Sequence, residues 1–240
     1  MCKTVIIFTA ILYLSYAKIA PNYIVPCPGL KSDCLKSNIQ QVIPEFVNGV
    51  PSIGIEVLDP LQQNNVDLSL PGGLNINFTN GTVTGLRQCV IESAAYKINE
   101  AVMNFHCDLT VSGIYKANGK ILFFSINGDG EAQIKTSNMT MKATLFFEDQ
   151  TRDGKVYYVV KKTSFDYKYG GRVTFNITNL IKSSPNLSEA VLLFLNENWK
   201  AVTKEFGGPI VDEIFNSVIK NIKKFFSNIP KDELFLDTGI

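Results

Sequence analysis

The last fifty residues carry an apolar stripe at helical spacing: Leu187, Val191, Phe194, Val202, Phe206, Ile210, Ile214, Val218, Ile222 and Phe225. All steps but the one from Phe194 to Val202 are three or four residues, so one face of a very long helix is apolar. A helix over residues 187–227 spans roughly 60 Å at 1.5 Å per residue. A round core of this chain's size is not that deep. Something must therefore wrap the helix along its length. Asn186, with Glu189 three residues on, has the form of a capping box at its start, and Gly207-Gly208-Pro209 is expected to kink it midway.

The wrapping material lies upstream. Between about residues 57 and 180 the pattern changes to alternation punctuated by turn pairs. Asn80-Gly81, Asn118-Gly119 and Asp153-Gly154 each sit between apolar runs and suit the positive φ angles of tight hairpins. A short helix is expected over residues 34–46, capped by Asp33, with Leu35, Ile39, Val42, Ile43 and Phe46 on its apolar face; Pro44 should bend it or end it early. The order is short helix, antiparallel meander, long helix. That is an α+β arrangement in which a strongly curved antiparallel sheet rolls around the C-terminal helix.

Residues 1–17 read as a secretory signal peptide: Lys3, an apolar run, then Ser15-Tyr16-Ala17 at the cleavage site. The run is too short to span a bilayer. Residues 18–240 are expected to form one domain. Cys2 leaves with the leader. The remaining Cys27, Cys34, Cys89 and Cys107 allow three pairings in an oxidising compartment. The local pairs Cys27–Cys34 and Cys89–Cys107 are expected, the second across a hairpin centred near Ile98. Zinc is disfavoured, because there is no CxxC and His106 is the single histidine; no metal is expected. Five Asn-x-Ser/Thr sequons, at Asn77, Asn80, Asn138, Asn176 and Asn186, suggest glycosylation. Loss of Lys3 with the leader leaves 22 basic against 22 acidic residues, and this balance argues against nucleic acid and against electrostatic membrane anchoring. The string Lys231-Asp232-Glu233-Leu234 is internal and so is not a retention signal; the protein is expected to be secreted and extracellular.

Catalytic patterns are missing. There is no Gly-x-Ser-x-Gly elbow and no Walker-type phosphate loop. Asn127 to Glu131 glances at a calcium loop but places Asn138 where the bidentate glutamate belongs. Neither an enzyme nor a cofactor is expected. The 16 Phe and 9 Tyr point to binding instead. Phe124, Phe147 and Tyr158 from the sheet and Trp199 and Phe215 from the helix are the candidate ligand-binding residues, with the Tyr158 hydroxyl facing a ligand's polar head. An empty apolar void of about 300 Å3 costs roughly 7 kcal/mol, so a lipid should fill it.

Five strings, in order, resemble the insect takeout and juvenile-hormone-binding protein family. They are Cys27-Pro28-Gly29-Leu30-Lys31-Ser32-Asp33-Cys34-Leu35; Gly54-Ile55-Glu56-Val57-Leu58-Asp59-Pro60-Leu61; residues 113–130, with Gly113, Tyr115, Gly119 and the Gly128-Asp129-Gly130 turn; Leu195-Asn196-Glu197-Asn198-Trp199-Lys200; and Ile229-Pro230-Lys231-Asp232-Glu233-Leu234-Phe235. The resemblance covers essentially the whole mature sequence. It implies a long helix wrapped by a curled sheet with an elongated apolar tunnel between them. It also implies a carrier of a small hydrophobic ligand: juvenile hormone, another terpenoid or a fatty-acyl lipid. The Cys89/Cys107 pair departs from the family's usual pattern. Two other classes use the same fold or surface: a membrane-docking lipid-transfer or lipopolysaccharide-binding protein, and a regulatory interaction protein holding a structural lipid. No stable membrane anchor is expected, a monomer is, and any protein partner or receptor is unspecified. The N-terminal helix, tethered by Cys27–Cys34, is positioned to close one tunnel mouth.

Overall fold

The structure, a computed structural model, describes residues 18–236; the signal-peptide reading of residues 1–17 lies outside them. The elements in chain order are β1 (Cys27–Pro28), α1 (Ser32–Phe46), β2 (Leu61–Gln63), β3 (Val66–Leu70), β4 (Leu74–Thr84), β5 (Val90–Lys97), β6 (Glu100–Ile121), β7 (Phe124–Ile126), β8 (Asp129–Arg152), β9 (Lys155–Tyr169), β10 (Val173–Ile177), α2 (Pro185–Glu197), α3 (Trp199–Asn228), α4 (Lys231–Leu234) and β11 (Phe235–Leu236). Strands β2 to β10 make one antiparallel sheet curled around α2 and α3. The α+β reading therefore holds.

Two strands carry the sheet. β6 has 22 residues and β8 has 24, long enough at about 3.3 Å per residue to run the full length of the helices. They pair with each other throughout, and each changes its outer partner midway. The first part of β6 pairs with β5 and the later part with β4; β8 pairs first with β10 and then with β9. The change coincides with a register shift at Cys107–Leu109 opposite Thr136–Met139, where Asp108 Oδ1 accepts from the Asn138 amide at 2.6 Å. Bulges of this kind increase local twist and bend, and the bend lets one sheet close around a rod.

The turns separate by geometry. Ile98-Asn99, both at positive φ, joins β5 to β6, and Asp153-Gly154 joins β8 to β9. The pairs Asn80-Gly81 and Asn118-Gly119 are not hairpins. Asn80-Gly81 lies inside β4 at a bulge between Thr79 and Thr82. Gly119 lies inside β6 at φ 134°, and a Cβ there would sit 2.3 Å from the Gly73 carbonyl oxygen; glycine is needed for that contact. The chain turns three residues later, at Leu122-Phe123.

The expected single helix is two. α2 ends at Glu197 and α3 begins at Trp199; between them Asn198 leaves helical geometry at φ −105°, ψ 26°, and both its amide and its side chain meet the Phe194 carbonyl at 2.9 Å. Gly207-Gly208-Pro209 lies within the unbroken run of α3. The start is capped by Ser184, whose hydroxyl accepts from the Leu187 amide, with Pro185 in the first turn; Asn186 does not cap it. Leu187, the first member of the apolar stripe, is exposed. α1 starts at Ser32 without a side-chain cap, so Asp33 sits in its first turn, and it continues past Pro44 to Phe46.

Both disulfides form as Cys27–Cys34 and Cys89–Cys107. The Lys231–Leu234 string is built into the fold. Leu234 is buried, the Glu233 carboxylate accepts from the amides of Ile19 and Ala20, and β11 pairs with β1. Asn221, buried on α3, clips the 55–58 loop to the rod by accepting from the Glu56 amide at 2.9 Å. Among the described residues no helix is long and apolar enough to cross a membrane.

Candidate functional site

The interior has two halves. In the distal half, Val191 and Leu195 of α2 and Val202 and Phe206 of α3 pack solidly against Leu74, Tyr115, Ile126, Val173, Phe175 and Leu180. The Tyr115 hydroxyl donates to the Thr178 carbonyl at 2.7 Å, and burial pushes its pKa up to about 12. In the other half lies a chamber of about 340 Å3, within the range of small-molecule sites.

Each wall of the chamber follows from a sequence period. The C-terminal half of α3 supplies Phe215, Val218, Ile219, Ile222, Phe225 and Phe226 at steps of one, three and four. β8 supplies Ala143, Leu145 and Phe147, every second residue, and β5 and β6 add Ile91, Ala94, Met103 and Phe105. α1 lays Ile39, Val42, Ile43 and Phe46 over the top. Three alanines, Ala94, Ala101 and Ala143, stand where larger side chains would fill the space. The N-terminal segment, through Ile24, Val25 and Cys27, forms the rim, and Asn38 Nδ2 donates to the Val25 carbonyl there.

Polar atoms gather at one end. The Tyr96 hydroxyl lies 2.9 Å from the Tyr158 hydroxyl and 3.0 Å from Asn99 Oδ1. Both rings face the chamber beside Phe147 and Phe226, whose centroids are 4.8 Å apart. Desolvation, then the hydrogen bond to Tyr158, raises the Tyr96 pKa, so the phenol stays neutral. Lys231 Nζ stands 4.6 Å from the centre of the Tyr158 ring and pairs with Asp149 at 2.9 Å.

Of the sequence candidates, Phe147, Tyr158 and Phe215 line this chamber. Phe124 and Trp199 lie in the distal half: Phe124 packs on Phe194 with centroids 5.1 Å apart, and Trp199 opens α3 under Lys200. Sequence reasoning missed Tyr96 and the alanines. It did identify the apolar face of α1 and set that helix beside the interior space, and Ile39, Val42, Ile43 and Phe46 line the chamber. Among the sequons, Asn80, Asn138, Asn176 and Asn186 are exposed, whereas Asn77 is partly buried and donates to Asp67 at 2.7 Å.

A larger cleft of about 630 Å3 lies between β3, β4, β6 and Lys182. It is more open, and Asn75, Asn77, Asn118, Lys116 and Lys182 make much of its wall, so it does not enclose an apolar molecule. His106 Nδ1 contacts Glu92 at 2.6 Å, but the neighbouring Ser93 hydroxyl accepts from Asn104, so no nucleophile completes a triad there. Among the described residues no group of His, Cys, Asp and Glu could hold a metal.

A helical rod inside a single curled sheet, with a partly enclosed apolar space beside the rod, is the architecture of a carrier of hydrophobic molecules. The chain belongs to the haemolymph juvenile hormone binding protein family, whose sequence pattern it matches over residues 4–236. It is similar to the crystal structure of Takeout 1 from Epiphyas postvittana, with a TM-score of 0.84 at 33% identity over 88% of this chain and 99% of that one. It is 23% identical over 207 residues to a putative beta-carotene-binding protein of Schistocerca gregaria, 84% of this chain and 82% of the relative. It is 20% identical over 232 residues to the circadian clock-controlled protein daywake of Drosophila melanogaster, 90% of this chain and 88% of the relative. This is a family of binding proteins rather than enzymes.

Proposed function

We propose that the protein is a secreted, extracellular carrier that holds one small hydrophobic molecule with a modest polar head, a terpenoid such as juvenile hormone or a fatty-acyl lipid, in the chamber beside α3. The observation that carries this reading is a partly enclosed apolar space of about 340 Å3 with the Tyr96 and Tyr158 hydroxyls at one end. The family's hormone-binding description supports the ligand class. Two disulfides and the leader sequence support secretion.

The forces suffice without charge pairing. Each buried methylene contributes about 0.8 kcal/mol, so a chain of about twelve carbons offers roughly 10 kcal/mol before association costs of several kcal/mol. Entry is past α1 and the rim at Ile24 and Val25, which the Cys27–Cys34 bridge ties together.

Two measurements test this. Organic extraction of purified protein should release an apolar molecule detectable by mass spectrometry, and fatty acids or terpenoids should displace an environment-sensitive dye. Absence of both an extractable molecule and dye displacement would remove the carrier reading. For the polar end, Tyr158→Phe should weaken a long-chain alcohol about three- to tenfold, the range of one hydrogen bond, while leaving the matching alkane unchanged. Equal affinity of both proteins for the alcohol would remove Tyr158 from that role.

A further inference from the structure

Between the chamber and the distal core the interior is closed by a column of rings. β9 presents Phe165, Tyr167 and Tyr169 on one face, every second residue. Phe215, the chamber-lining residue nearest the N-terminal end of α3, stacks on Phe165 with centroids 4.1 Å apart and planes 17° apart. Phe165 stacks in turn on Tyr167 at 6.0 Å, and Tyr167 meets Tyr169 edge-on at 5.6 Å. Tyr169 packs into the distal core.

The rod makes room for these rings. A Cβ on Gly207 would lie 2.6 Å from the Tyr169 hydroxyl, and the nearest group to one on Gly208 is the Tyr167 hydroxyl at 3.9 Å. A side chain at Gly207 would push Tyr169 off its seat. Burial raises both phenol pKa values, so two neutral phenols stand near the bare stretch of helix. Val211, Met139 and Met141 close the remaining gaps.

We propose that the column from Phe215 through Phe165 and Tyr167 to Tyr169, seated on Gly207, is an end-stop that sets the greatest length of ligand the protein accepts. This rests on the carrier reading above. From the stop at Phe215 to Phe226 beside the tyrosine end is 11 helical steps of α3, about 17 Å at 1.5 Å per step. That is less than a third of the combined length of α2 and α3. The stop selects compact terpenoids and medium acyl chains, entered head-toward-Tyr96, and rejects long rigid polyenes and long polyprenyl chains.

The test is a length series. Straight-chain primary alcohols of increasing length compete for delipidated protein against a fluorescent naphthylamine dye. In the native chain each added methylene should tighten binding about fourfold until the chain reaches the column, after which the gain stops. Phe215→Ala and, separately, the milder Phe165→Leu should move that break to longer alcohols; the native series reads the break even where a variant folds poorly. An unbroken gain through the longest alcohol, or a break at the same length in all three proteins as alcohol solubility alone would give, overturns the end-stop and leaves the carrier reading standing. Failure of the dye and every alcohol to bind overturns the carrier reading and the end-stop with it.

Discussion

Solvent-extracted protein is expected to melt about 5–10 °C below the same protein refilled with ligand. A void of 340 Å3, at about 24 cal/mol per Å3, represents roughly 8 kcal/mol of missing contacts. That rivals the whole stability of a typical domain. A ligand that binds only the folded chain restores part of this, about 2.7 kcal/mol when present at 100 times its dissociation constant. For a domain of this size each kcal/mol moves Tm by about 2–4 °C. The unfilled chamber should loosen first at its lid, because Ile39, Val42, Ile43 and Phe46 of α1 face the space and none of them is fully buried. Calorimetry over a series of ligand concentrations reads the effect directly. A Tm that is identical with and without ligand, at every concentration, would mean that nothing fills the chamber.

The elements legible in the sequence are those set by period and covalent chemistry. Alternation marked the sheet, the three- and four-residue steps marked the rod, and local spacing paired the cysteines. What failed did so for identifiable reasons. Positive φ at Asn80 serves a bulge as readily as a hairpin, so an Asn-Gly pair alone does not say where a strand ends. Gly119 answers a close approach of Gly73 rather than a reversal. The division of the rod at Asn198 is a departure of one residue's φ and ψ from helical values, which the apolar stripe on either side does not announce. Gly207-Gly208-Pro209 looked like a kink signal, yet Gly207 makes room for a tyrosine ring contributed by a strand almost forty residues earlier.

The site was legible only in part, because a cavity is defined by what is missing. Phe147, Tyr158 and Phe215 were visible as aromatics at facing positions, and they line the chamber. Phe124 and Trp199 have the same chemistry but fall beyond the ring column, in the half where Val191 and Phe206 fill the interior. Nothing in a periodic pattern reports position along the axis of the rod. The alanines are the more instructive omission. Ala94, Ala101 and Ala143 sit at inward strand positions like their larger neighbours, and it is their smallness that leaves room for a guest. A sequence shows them as ordinary apolar positions.

That smallness carries the last prediction. Ala143 is nearly buried, faces inward between Met141 and Leu145, and opens on the chamber. Ala143→Phe should place a ring in the space a ligand would occupy. Displacing a bound chain by even three methylenes' worth of contact costs about 2.4 kcal/mol, so affinity should fall at least about fiftyfold. Stability of the ligand-free protein should move the other way, by about 0.5–2 kcal/mol, as filling a void does. The opposite signs make the experiment informative. A variant that merely damages the fold loses both binding and stability, whereas occupation of the chamber separates them. Dye displacement and urea unfolding of extracted protein, measured on one preparation, give both numbers. Unchanged affinity in a stabilised variant would place the ligand elsewhere, and lowered stability would show that the wall beside Ala143 is already full.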